Sequence, residues 1–248
     1  MTIQASIKKL MVCTSVALMP VIASAQMINQ GKIVFERKVN LKKQFKNDPR
    51  VAQFLSEDVT WRIENFEMHF NDSLSSFLPV QSEEDEVKGF MKYLTTHNTI
   101  YTNQNTGKKQ VVLDLWGTQT YIEDSIHTRK WKITNRKRII AGYECRRAIW
   151  EQDDTTRIYA WFCTEIVPTI GPEGFSGLPG GILGLATENG SIIYFAQTVE
   201  EVEVSLDKLT LDTKGQEVFT EEELKATMLE KAGRWVKPEY LDAMFSWL

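Results

Sequence analysis

The chain has 248 residues, 42% of them hydrophobic and 10% aromatic, with 29 basic residues against 33 acidic ones and a net charge of −4. That composition supplies a sizeable buried core and excludes a disordered linker. The acidic balance gives no global reason to expect nucleic-acid binding.

Lys8 and Lys9 precede an apolar run from Leu10 to Ala23, and Ala23-Ser24-Ala25 puts small residues where a signal peptidase reads them. Residues 1–25 are therefore expected to be a secretory signal, cut before Gln26. The run is shorter than the ~20 apolar residues of a spanning helix, and Pro20 interrupts it. Cys13 lies inside the run, which argues against a lipid anchor, and no later segment reads as membrane-spanning. The remainder, 26–248, is expected to be a single domain with 27 basic and 33 acidic residues. Its cysteines, Cys145 and Cys163, are an even pair in a disulfide-permissive compartment.

Gly31 to Val39 reads as an opening strand, with Ile33, Phe35 and Val39 on one side. Leu41 to Leu55 carries Phe45, Val51, Ala52 and Leu55 at helical spacing, Pro49 suiting a helix start. Alternation returns from Thr60 to Phe70 and ends at the turn-prone Asn71-Asp72. A meander follows: Thr99 to Thr102, Gln110 to Trp116, Thr118 to Ile122, Lys130 to Thr134, Tyr143 to Trp150 and Ile158 to Glu165. Ile182 to Thr187 and Ser191 to Val199 are joined by Asn189-Gly190, a strong hairpin signal. Thr220 with Glu223 makes a capping box for a helix through Leu224, Met228 and Leu229. Pro238 opens a last helix with Leu241, Met244, Phe245 and Leu248. The fold class is mainly β (α+β): a large antiparallel, curved β-meander sheet with a few helices, two of them at the C-terminus.

If the strands around Asp154 form a hairpin centred on it, Arg147 faces Trp161, Ile149 faces Tyr159 and Cys145 faces Cys163. Facing residues lie ~4.5–5.5 Å apart at Cα, within the span of a disulfide. Arg147 over Trp161 would add a cation–π contact. Two buried free thiols, or a register shifted by two residues, are the alternatives.

Gly171-Pro172, Phe175 and Gly177-Leu178-Pro179-Gly180-Gly181-Ile182, with Gly142-Tyr143-x-Cys145, Ala160-Trp161 and Trp131-x-Ile133, resemble the GLPGLI family of Bacteroidota envelope proteins. The resemblance covers roughly Trp131 to Tyr194. Gly181 stands where the motif has Leu, and an extra residue precedes Pro168. The resemblance implies a periplasmic cell-envelope protein, at or near the outer membrane, in a family often encoded beside TonB-dependent receptors. It brings no catalytic residues.

Physically, Pro179 fixes φ and Gly180 tolerates a positive one, which favours a type II turn with Leu178 and Ile182 tucked inward. A phosphate loop would need Gly-Lys-Ser/Thr and a dinucleotide loop a following helix; neither is present. Gly174-Phe175-Ser176-Gly177 is not a nucleophile elbow. His69, His97 and His127 stand alone in sequence, so no metal site, cofactor or enzyme is signalled. Arg129, Lys130, Lys132, Arg136, Lys137, Arg138, Arg146 and Arg147 surround Trp131, a mix that suits nucleic acid, phosphates or an acidic partner, or else the wet face of a half-buried sheet. Trp131, Arg147 and Trp161 are the candidate partner-binding residues. The expected function is a non-catalytic docking module working with an outer-membrane receptor. The alternative is a periplasmic carrier sheltering an amphipathic ligand under the curved sheet.

Overall fold

The computed structural model describes residues 27–46, 55, 61–80, 95–115, 117–151, 156–232, 241 and 245. The expected signal segment and most of the expected 41–55 and final helices lie outside them. Twelve strands form one mostly antiparallel open sheet: β1 (Gly31–Asn40), β2 (Trp61–Phe70), β3 (Leu74–Pro79), β4 (Thr99–Asn103), β5 (Lys108–Leu115), β6 (Thr118–Ser125), β7 (Lys132–Ile140), β8 (Tyr143–Glu151), β9 (Arg157–Cys163), β10 (Gly181–Thr187), β11 (Ile192–Glu200) and β12 (Val218–Phe219). The order is β12-β6-β5-β4-β3-β2-β1-β11-β10-β9-β8-β7. Two described pairings are parallel, β12 with β6 and the isolated bridge between Ile28 and Ile166.

The described helices are α1 (Leu41–Gln44), α2 (Leu206–Leu209) and α3 (Glu221–Ala232). Asn40 caps α1 by accepting from the Lys43 N–H. The expected capping box holds α3: Thr220 Oγ1 accepts from the Glu223 N–H at 3.2 Å, and Glu223 Oε2 from the Thr220 N–H at 2.8 Å. Of the second expected C-terminal helix, Leu241 and Phe245 are described; both are helical and buried. No helix among the described residues is long and apolar enough to cross a membrane.

β1 lies mid-sheet, and two meanders extend from it to opposite edges. β6 and β7, near those opposite edges, are joined only by residues 126–131. Such a strap spans at most about 25 Å at ~3.3–3.6 Å per residue, so the sheet must curl until its edges approach. The inside of the curl holds the core. There Phe66 stacks on Phe77 at 4.9 Å between centroids, with Phe35 and Tyr194 edge-on. A 3-10 turn at Pro172–Gly174 touches β3, β4 and β10, so the Gly-rich loop plugs the concave face.

Candidate functional site

The Gly-rich loop is pinned from both ends. The Gly181 N–H donates to the Ile166 carbonyl and the Ile182 N–H to the Ile170 carbonyl. Ile166, Ile170, Phe175 and Leu178 are buried, while Gly177 and Pro179 stay exposed at the tip. Gly180 has φ +130, and a Cβ there would lie 2.1 Å from the Cys163 carbonyl oxygen. The turn differs from the expected type II. The Gly180 N–H donates back only two residues, to the Leu178 carbonyl, a tighter bend that the Cys163 backbone leaves room for only because residue 180 lacks a side chain.

Behind this loop lies a buried polar network. Arg37 and Glu64 occupy inward positions of neighbouring strands, in register with one another. Arg37 Nε and Nη2 donate to Glu64 Oε2 at 3.0 and 2.5 Å. Glu64 Oε1 accepts from Thr95 Oγ1 at 2.9 Å and lies 2.6 Å from His97 Nε2 and 2.6 Å from Arg62 Nε. Arg37 Nη1 donates to the Tyr194 hydroxyl, which donates to Glu173 Oε1 at 2.5 Å. Glu173 sits in the 3-10 turn with φ +54, a conformation rare outside glycine, and its Oε2 is buried with no hydrogen-bond partner among the described residues.

The two carboxyls titrate in opposite directions. Burial alone pushes Glu64 up, but His97 and the Arg37 guanidinium overcome it and hold the carboxyl at about 2. For Glu173 burial prevails over Arg37, 3.8 Å away, and its carboxyl is held above the usual range. A carboxylate locked on Arg37 and a second carboxyl held toward its neutral form make this a loop anchor. The sequence signal was available: Arg37 and Glu64 share the parity of Phe35 and Phe66.

On the other face of the sheet, the β8–β9 ladder has the expected register, with Arg147 opposite Trp161 and Ile149 opposite Tyr159. The cation–π partner differs: the Arg147 guanidinium lies over Tyr159 at 5.2 Å, its Nε held toward Thr134 Oγ1 at 3.4 Å. Trp161 is covered instead by Arg138 of β7, 5.5 Å from its centroid and 4.5 Å from that of Phe195. Trp161 and Phe195 are 5.7 Å apart, and Phe195 lies where Gly184 leaves space; a Cβ there would meet the ring at 2.7 Å. Arg138, Arg147, Tyr159, Trp161 and Phe195 thus form a half-exposed arginine–aromatic strip.

Trp131 does not join that strip. Its Nε1 donates to the Ser176 carbonyl at 2.9 Å, and its ring lies against Trp150 and Phe175 on the core side. Arg129 also departs from the wet-face reading, being buried at 8% exposure, whereas Lys132, Arg136, Lys137, Arg138 and Arg146 are exposed. Cys145 and Cys163 are buried free thiols, one ladder step beyond the Arg146–Phe162 pair. Burial pushes Cys145 to about 12. Among the described residues, no three His, Cys, Asp or Glu side chains gather as a metal site.

No protein-family model matches the chain, and no curated protein matches it. Among solved structures the chain is similar to PNGF-II. In its C2 crystal form the TM-score is 0.51 at 14% identity, covering 82% of this chain and 33% of that one. The P21 form gives 0.48 at 13% identity, covering 77% and 31%. An uncharacterized conserved protein from Thermus thermophilus gives 0.40 at 6% identity, covering 77% of this chain and 90% of that one. The chain spans about a third of the length of PNGF-II. At 14% identity the likeness is one of fold alone.

Proposed function

We propose that this is an exported, non-catalytic accessory protein of the cell envelope that docks onto an outer-membrane receptor of the TonB-dependent kind. The observation that carries the reading is the arginine–aromatic strip, with Arg138 spread over Trp161 and Phe195 and Arg147 over Tyr159. Arg, Trp and Tyr are the residues that dominate interface energies, because each offers a large rigid contact area with a polar handle. The exposed cations of β7 beside the strip favour an acidic face on the partner. Export rests on the N-terminal pattern and envelope placement on the motif resemblance. The carrier reading has less behind it, since the described concave face is filled by Phe35, Phe66, Phe77 and the Gly-rich loop.

Crosslinking in intact envelopes tests the docking, with mass spectrometry of recovered proteins and extracted lipids. The expected result is a stoichiometric outer-membrane receptor whose recovery is lost in an Arg138→Glu, Arg147→Glu double variant. Recovery of lipid with no protein partner would refute docking in favour of the carrier.

A further inference from the structure

β7 ends the sheet order, so one of its edges has no neighbouring strand among the described residues. Lys132, Ile133 and residues 135–139 are exposed along it, Ile139 at 65%. The hairpin to β8 determines which backbone groups that edge presents. Its turn residues, Ala141 and Gly142, have φ +48 and +88, the positive values of a two-residue type I′ turn. The residues flanking such a turn, here Ile140 and Tyr143, form a hydrogen-bonded pair. Bonded and non-bonded pairs alternate along an antiparallel ladder. The register runs Ile139 with Glu144, Arg138 with Cys145 and Lys137 with Arg146. The N–H and C=O groups of Ile139 and Lys137 therefore point away from β8, and no backbone bond among the described residues takes them up.

The charge of this edge has one sign. β7 carries Lys132, Arg136, Lys137 and Arg138 and no acid, in a chain whose net charge is −4. Lys137 pairs with Glu144 at 2.7 Å, an exposed and readily exchanged contact. Lys132 and Arg136 form no salt bridge among the described residues. Like charges on facing strands repel, which disfavours pairing with the same edge of a second copy. The bulge between Ile133 and Lys137 confines regular pairing to residues 137–140. An acidic strand meets the opposite condition. β7 also folds back over the sheet: Ile140 Cδ1 lies 3.1 Å from where a Gly184 Cβ would be, and Arg138 covers Phe195 at 4.5 Å. The open edge is thus continuous with the arginine–aromatic strip.

We propose that β7 receives an extended acidic segment of the docking partner as an added strand. This mode rests on the docking reading above and gives the partner's side a chemistry. The segment makes main-chain bonds to Lys137 and Ile139, sets carboxylates beside Arg136 and Lys137, and lays an apolar residue beside Ile139. Main-chain bonds supply the affinity, and the cations select the sequence.

Amide hydrogen exchange on the full chain tests the edge, with a short peptide alternating Glu with Val as the probe. Two controls accompany it: a counterpart with Lys for Glu, and a copy N-methylated at every backbone amide, which keeps the charges and loses the donors. The acidic peptide is expected to slow exchange at the Lys137 and Ile139 amides about tenfold or more, while the Arg138 amide, already bonded to β8, changes little. Neither control is expected to protect them. No protection by the acidic peptide, or equal protection by its N-methylated copy, overturns the proposal. Ile139→Pro removes the outward donor and leaves the bonds to β8 in place, so it is expected to lose peptide binding; binding retained overturns the proposal as well. Should that variant misfold, the N-methylated comparison still decides on the unaltered protein. A receptor recovered from envelopes beside unprotected edge amides would leave docking standing and overturn strand addition. Protected edge amides with no receptor recovered would support the added strand and sink the receptor.

Discussion

The Tyr194 hydroxyl lies 2.5 Å from Oε1 of Glu173 while accepting from Nη1 of Arg37 at 3.3 Å, so one phenol joins the Gly-rich loop to the middle of the sheet. Burial raises the Glu173 carboxyl above its ordinary 4.5. A carboxyl raised in the folded state contributes stability below its unfolded value and loses it as pH climbs through the folded one. The melting midpoint is therefore expected to fall as pH rises above about 4.5 through that window, and Glu173→Gln is expected to flatten the fall. Parallel pH profiles for the two proteins would show that Glu173 is not its origin.

Glu64 has the opposite sign. With its carboxyl held at about 2, its contribution is present above 4.5 and is lost as pH falls toward 2. At neutral pH, Glu64→Ala leaves the Arg37 charge buried beside Phe66 and is expected to cost about 3–5 kcal/mol. Urea denaturation measures it. A loss below about 1 kcal/mol, the range of an exposed ion pair, would mean that water reaches Arg37.

Gly180→Val should destabilise by at least roughly 1–3 kcal/mol, because a side chain at φ +130 would be strained and would also press on the Cys163 carbonyl. An unchanged melting midpoint would show that the bend adapts at no cost and would return the exposed loop tip to consideration as a ligand contact.

In protein exported to an oxidising compartment and purified without reductant, Cys145 and Cys163 are expected to be bridged. For a loop of this size the chain-entropy estimate is roughly 3 kcal/mol of added stability, less if the bridge is strained. Thiol counting on denatured, unreduced protein decides: two reactive thiols per chain would end the claim. In reduced protein, the burial that pushes the Cys145 thiol up to about 12 should make it slow toward alkylating reagents until the chain unfolds.

The alternation of Ile33, Phe35 and Val39, and of Phe66, Met68 and Phe70, made most strands legible, as did Asn189-Gly190 for the last hairpin. β3 was missed because its buried positions include Ser75 and Ser76, polar residues made tolerable for Ser75 by a hydroxyl bond to Thr102 at 2.7 Å. β7 was read only to Thr134 because a bulge between Ile133 and Lys137 breaks its alternation. The arginine–aromatic strip was half legible. The hairpin register brought Arg147 to Trp161, but Arg138 and Phe195 arrive from strands whose placement the register does not determine. Arg129 was unreadable, since its burial comes from Trp150 and Phe175, remote in sequence.

The central place of β1 governs the order in which this molecule can be assembled. One of its neighbours, β2, follows closely in the chain, but the other is β11, and the Arg37–Tyr194 bond joins residues 157 apart. Until β11 has been made, one edge of β1 has no strand beside it and Arg37 lacks its phenol. Closing so long a loop is entropically costly and slow. Synthesis is thus almost complete before the sheet can be: the β1–β6 meander, built of strands adjacent in sequence, can form early, but its β1 edge waits for the last long strand.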